Sequence, residues 1–179
     1  MPKTRNKLPL LAQAVGSMLD RDLRTLEREL EAYPDERDLW REVPGLPNAG
    51  GTLALHLTGN IQHYFGHHLG KSGYVRNRPA EFSRRDVSRA ELLDEVNAAR
   101  AAVQAAMANL SESQLEQDFP EVITGSQVLT GEYMVHLLAH FTYHLGQLDS
   151  HRRLVTGRAV GVGAVSPSEL SSARKVDQR

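Results

Sequence analysis

Apolar residues recur along this chain at helical intervals. From Leu11 through Val15, Met18, Leu19, Leu23, Leu26 and Leu30 the steps are of one to four residues with charges between, which predicts an amphipathic helix over about 9–32. Tyr33-Pro34 ends it, because proline lacks the backbone donor and biases the residue before it away from helix. A connection follows at 43–51, VPGLPNAGG, with two prolines and three glycines. The second helix is expected over 51–70, with Thr52 as its N-cap. The third spans 88–110, opened by a Ser88/Glu91 capping box and carried by the Ala-rich NAARAAVQAAMANL. A second capping box, Ser111/Gln114, opens only a short turn before Phe119-Pro120. The fourth helix spans 130–156, capped by Thr130, with Met134, Val135, Leu137, Leu138, Phe141, Leu145 and Leu148 as its apolar residues and Gly157 as its terminator.

No segment alternates convincingly as a strand does. Four long helices predict an all-α protein, a four-helix bundle whose long connections, 33–50 and 71–87, are free to cross over or to cover a site. One bundle domain over 1–156 and a partly ordered tail over 157–179 are expected. The basic, then apolar start MPKTRNKLPLLAQAVGSML has the order of a secretory signal, but its apolar period runs on to Leu30 without a cleavage site. It reads as the first helix. No stretch approaches the roughly 18 apolar residues of a membrane span. A cytoplasmic protein with no membrane partner is therefore expected.

Composition narrows the chemistry further. Lys plus Arg number 21 against 22 for Asp plus Glu, so there is no general basic footprint and nucleic acid is not an expected partner. The chain contains no cysteine, which excludes disulfides, thiolate ligands and a protein-borne thiol nucleophile. Any reacting thiol must come from outside.

The eight histidines are not scattered. His56, His63, His67 and His68 fall on the second helix; His136, His140, His144 and His151 fall on the fourth. Residues four apart on an α-helix lie one turn apart on one face, so two imidazoles can converge on one ion. A third from a neighbouring helix completes the ligand set and leaves an open position. Spacing alone offers three pairs: His136/His140, His140/His144 and His63/His67. His56 lies in apolar LALHLTGN, where an imidazole is costly to bury without a partner. His67 and His68 adjoin Gly66, Gly70 and Lys71 near a helix end, where solvent is expected. Leu137 stands where a zinc protease's HExxH would place its glutamate, so that class is disfavoured.

LALHLTGN on the second helix, followed by HFTYHLGQL on the fourth, resembles the DinB-like superfamily over roughly residues 8–156. The resemblance implies His56, His140 and His144 as ligands of a divalent metal, zinc or nickel first, with Gly146-Gln147 following. Arg76-Asn-Arg-Pro-Ala-Glu81-Phe82 is similar to a subgroup that pairs an RxRxxEF-like stretch with a Gly-Asn after the first histidine. Leu145 departs from the arginine common after the last ligand. Relatives are often homodimeric, and the better understood ones use a small thiol such as mycothiol, bacillithiol or glutathione, as S-transferases or as a maleylpyruvate isomerase.

The resemblance thus implies a metal-dependent, thiol-using S-transferase. A metal-dependent hydrolase or isomerase and a non-catalytic metal-binding stress protein are the alternatives. A hydrolase needs a base, for which Glu132, Asp149 and Glu81 are the candidates. Asn60, Tyr143 and Gln147 are candidates to support the ligands; Asn60 is one turn from His56, and Tyr143 could equally be packing. Arg76, Arg78 and Glu81 read first as a solvated connection, with cleft lining or dimer contact as the alternative.

Overall fold

The computed structural model describes residues 8–176. Its long helices follow the apolar periods closely. Helix α1 (Leu10–Glu31) turns Ala12, Val15, Leu19, Leu23, Leu26 and Leu30 inward. Each leucine is fully enclosed, and burial of such a side chain is worth about 1.5–3 kcal/mol. Helix α2 (Gly50–Ile61) is buried on every side, as a central helix with apolar residues all round should be. Beyond Ile61 the same rod continues to Leu69, but with π-helical winding over Gln62–Leu69. After the short α3 (Arg78–Ser83) come α4 (Arg89–Asn109), a single turn α5 (Glu112–Leu115) and α6 (Thr130–Thr156).

Helices α1 and α2 each pack against both α4 and α6, so the four long helices share one core. Among the described residues there is no strand, only two isolated bridges, Asp118 with Leu129 and Ile123 with Ser126, in the connection before α6. No helix among them is long and apolar enough to cross a membrane.

The helix starts differ in detail from expectation. Leu53 donates to the carbonyl of Ala49, so α2 begins two residues before Thr52, which is buried inside it with an unpaired hydroxyl. Tyr133 likewise donates to Leu129, and Thr130 is the first residue of α6. Ser88 caps α4 by accepting from the Glu91 amide, but the Glu91 carboxylate pairs with Arg84 instead of closing the box. Leu11 and Val135, expected on apolar faces, lie at the surface. Helix α6 ends as expected at Gly157, whose φ of +66° suits glycine.

Two connections fasten the core. Tyr33, fully buried, hydrogen-bonds His151 Nδ1 (2.8 Å), while His151 Nε2 donates to the carbonyl of Arg41 (2.8 Å). Trp40 donates from Nε1 to the Val87 carbonyl at 3.1 Å, tying the 33–50 connection to the 71–87 connection. Residues beyond Gly157 run back along α1, where Arg28 donates to Val162 (2.9 Å) and pairs with Glu169 (3.1 Å).

Candidate metal centre

His56, from the middle of α2, meets His140 and His144, one turn apart on α6. One ligand-capable atom of each lies within 4.8 Å of the other two. The Nε2 atoms of His56 and His140 are 3.4 Å apart. Tetrahedral ligands held about 2.0–2.1 Å from one ion lie about 3.3–3.4 Å apart, so this pair already has the spacing of a ligand pair. His136, the other fourth-helix candidate, is exposed on the cleft wall with its ring 6.4 Å from that of His140.

The ring tautomers favour a cation. His56 Nδ1 donates to Glu81 Oε2 (3.0 Å), and His144 Nδ1 donates to Gln147 Oε1 (2.7 Å). Both rings therefore keep the Nε2 lone pair free. A carboxylate behind a histidine fixes ring orientation and raises its basicity as a ligand. His140 Nδ1 is buried without a partner, which leaves Nε2 as that ring's polar outlet. Burial, reinforced by the neighbouring imidazoles, lowers His140 to about 4, and burial also lowers His144. Both are neutral, ligand-competent imidazoles at pH 7.

Glu81 is itself held by a forked ion pair: Arg76 Nε donates to Oε1 at 2.6 Å and Nη2 to Oε2 at 2.9 Å. Burial pushes the Glu81 pKa up, but the bonds from His56 and Arg76 overcome this and hold it below its usual value. Helix α2 admits this carboxylate because residue 59 is glycine. A Cβ there would stand 2.5 Å from Glu81 Oε1. The Gly59-Asn60 pair and the RxRxxEF-like stretch are thus two sides of one contact.

Phe82 stacks obliquely on His56 with centroids 5.0 Å apart, and the Arg78 guanidinium lies 5.1 Å from the Phe82 ring centre. Arg78 is exposed, as a solvated connection would have it, but the same expectation is overturned for Arg76 and Glu81, which are 10 % and 6 % exposed at their side chains. They are buried because each neutralises the other. The 71–87 connection does cover the site.

The three histidines open into a cleft of about 360 Å³, walled by Asn60, Tyr64, Arg76, Arg78, Phe82, Tyr133 and, from the connection before α6, Ile123 and Thr124. Its size suits a small molecule. A larger cavity of about 560 Å³ under the 42–49 connection is walled by Glu42, Arg85 and uncharged residues, and neither metal-competent cluster found among the described residues lies in it. Asn60 is buried and faces the cleft. Tyr143 is 65 % exposed and touches the His144 ring edge-on. Of the candidate bases, Glu81 is held by Arg76 and His56, Asp149 by Arg152 and Arg153, and Glu132 is exposed on the first turn of α6 outside the cleft lining.

The His63/His67 pair behaves otherwise than α-helical spacing predicts. Their rings stack, 6° from parallel at 5.8 Å, but the nitrogen that converges with His63 belongs to His68. Both donate from Nε2 to the same oxygen, Glu121 Oε2, at 2.7 Å each. Nor is His68 solvated at a helix end; its side chain is 14 % exposed and packs on Phe119. The π winding, invisible in the residue types, produces this exchange of partners.

No curated protein sequence and no solved structure matches the chain. The mycothiol S-transferase family does match, over residues 14–157, a span that runs from α1 to the end of α6 and includes His56, Glu81, His140 and His144. With most of its length matched, the chain belongs to the mycothiol S-transferase family, one of the DinB-like families.

Proposed function

We propose that the protein is a metal-dependent S-transferase that joins a small external thiol, mycothiol first, to an electrophilic carbon. Its frame is read as a DinB-like four-helix bundle with zinc or nickel held by His56, His140 and His144. The observation that carries the reading is the pairing of three converging imidazoles with a family match that names the thiol. Three neutral ligands leave the charge of a divalent ion uncompensated, and such an ion favours an incoming thiol as its thiolate.

The chain's own residues do the rest. Arg76 offsets the charge of Glu81, so the carboxylate orients His56 without neutralising the site. Gln147 orients His144 without adding charge. Tyr64, Tyr133 and Phe82 give the cleft apolar walls, while Asn60 and Arg78 supply polar and cationic groups for the rest of the ligand. Holding both reactants in one cleft removes much of the entropic part of the barrier. In the reaction the thiol sulfur forms a bond to carbon, the carbon's leaving group departs with the bonding pair, and the thiol proton passes to solvent. The tethered state of Glu81 and Asp149, with Glu132 outside the cleft lining, leaves a hydrolytic reading without a free carboxylate among its candidate bases.

The test is to incubate protein loaded with zinc or nickel with a fluorogenic haloalkyl electrophile and, separately, mycothiol, bacillithiol or glutathione. Metal-dependent conjugate with mycothiol is the expected result. If metal is bound in stoichiometric amount and no thiol yields conjugate, the protein is a non-catalytic metal binder instead.

A further inference from the structure

The π-helical segment Gln62–Leu69 places a second set of metal-binding groups on the rod that carries His56. In an α-helix, residues five apart diverge by more than a quarter turn. A π-helix bonds each residue to the fifth one along, so positions five apart come to one face. His63 and His68 have that spacing. Their Nε2 atoms approach one carboxylate oxygen, Glu121 Oε2, at 2.7 Å each. Two imidazole nitrogens and a carboxylate oxygen form the donor set of many zinc sites.

From these positions we infer that His63, His68 and Glu121 form a second site for a zinc-like divalent ion that clamps the connection before α6 to the rod. The two histidines stand on a helical frame and are 19 % and 14 % exposed at their side chains. Glu121, 37 % exposed, sits on the connection and has room to move back from hydrogen-bond to ligand spacing around an ion. Two residues further on, Ile123 and Thr124 form one wall of the first cleft. An ion at the second site therefore fixes that wall, and its role is structural. Binding there requires neither thiol chemistry nor an ion at the first site.

Untagged, metal-free full-length protein is titrated with Zn²⁺ or Co²⁺, passed through gel filtration, and its bound metal counted by mass spectrometry. Wild type should retain about two ions per chain and each of His68→Ala, Glu121→Gln and His140→Ala about one. The His68→Ala/His140→Ala double variant should retain none. Glu121→Gln alters a half-exposed side chain, so a misfolded His68→Ala would not end the test. Limited proteolysis supplies a second readout: metal should slow cleavage within 116–129 in wild type and His140→Ala at least fivefold, but not in Glu121→Gln. Wild type holding one ion, lost in His140→Ala and kept in Glu121→Gln, overturns the second site and leaves the first standing. One ion lost in Glu121→Gln and kept in His140→Ala supports the second site and sinks the first.

Discussion

One rod, Gly50 to Leu69, carries one histidine of the first cluster and both histidines of the second, and its two halves wind differently. In the α-helical half every residue is buried, and His56 faces two imidazoles, His140 and His144, that are themselves on a regular α-helix. In the π-helical half His63 and His68 share their face with a carboxylate from a connecting segment. The first cluster is framed entirely by helices, with Glu81 and Gln147 locking two of its rings. The second has one member on a connecting segment, 37 % exposed at its side chain, and no comparable hydrogen-bond support behind it. Sites built on regular elements hold their geometry better than sites completed by a loop. The first cluster is therefore suited to chemistry and the second to fastening.

The sharpest break of this comparison is His140→Ala. It removes the ring whose Nε2 stands 3.4 Å from that of His56 while leaving the π-helical cluster untouched. Metal should be lost from the first site only, and conjugation should fall by roughly a thousandfold or more, the scale expected when a catalytic ion is lost. Metal counts alongside single-turnover rates check this. A variant that keeps most of its activity would remove the first cluster from the chemistry.

The next effect is on pH dependence. His140 is held at about 4 by burial and then by its neighbours' charge. In the unfolded chain it titrates near the ordinary value of about 6.5. Between these values the unfolded state binds a proton that the folded state does not, so stability rises with pH across the window and is lost as pH falls from about 6.5 to 4. The shift corresponds to on the order of 3 kcal/mol. In His140→Gln that share of the slope should vanish. Urea unfolding of the metal-free proteins at pH 7.5, 6, 5 and 4 measures it, and parallel curves for the two would contradict the assignment.

How far the two regions could be read from residue types follows from the same difference in winding. The long helices were legible because apolar steps of three and four impose one face, and Gly157 marked the last end well. The helix starts were less so: Thr52 and Thr130 are residue types that cap, but the bonds from Leu53 to Ala49 and from Tyr133 to Leu129 begin each helix earlier. The grouping of His56, His140 and His144 was accessible because α-helical spacing and the family resemblance both apply where winding is regular. His68 and Glu121 were not, since a π turn moves the partner from the fourth residue to the fifth and nothing in QHYFGHHL declares it. Glu81 lies between these cases. Its motif was visible, but its burial depends on a space at Gly59 that only the packed helices reveal.

That contact gives a third, smaller effect. Glu81→Gln keeps the shape but weakens the acceptor behind His56, and loss of such a partner lowers metal affinity by about 10- to 100-fold. Gly59→Ala should act in the same direction by pushing the carboxylate away, because its new Cβ would stand 2.5 Å from Oε1. Competition with a calibrated chelator reads the first site once Glu121→Gln is present as background. Unchanged affinity in both variants would reduce Glu81 to a packing residue.

The smallest effect expected is that of the second cluster on the reaction. His68→Ala removes no group from the first cleft, so the maximal rate at saturating substrates should stay within about twofold of wild type. The connection it helps to fasten nevertheless carries Ile123 and Thr124, which form part of the wall of that cleft. Loosening that wall should weaken substrate binding before it touches the chemical step, raising KM for the electrophile or the thiol by about threefold. Steady-state kinetics with the metal of the first site kept saturated separates the two constants. A fall in maximal rate comparable to that of His140→Ala would mean that the π-helical histidines take part in the reaction itself, and the division between a reacting and a fastening half of the rod would be wrong.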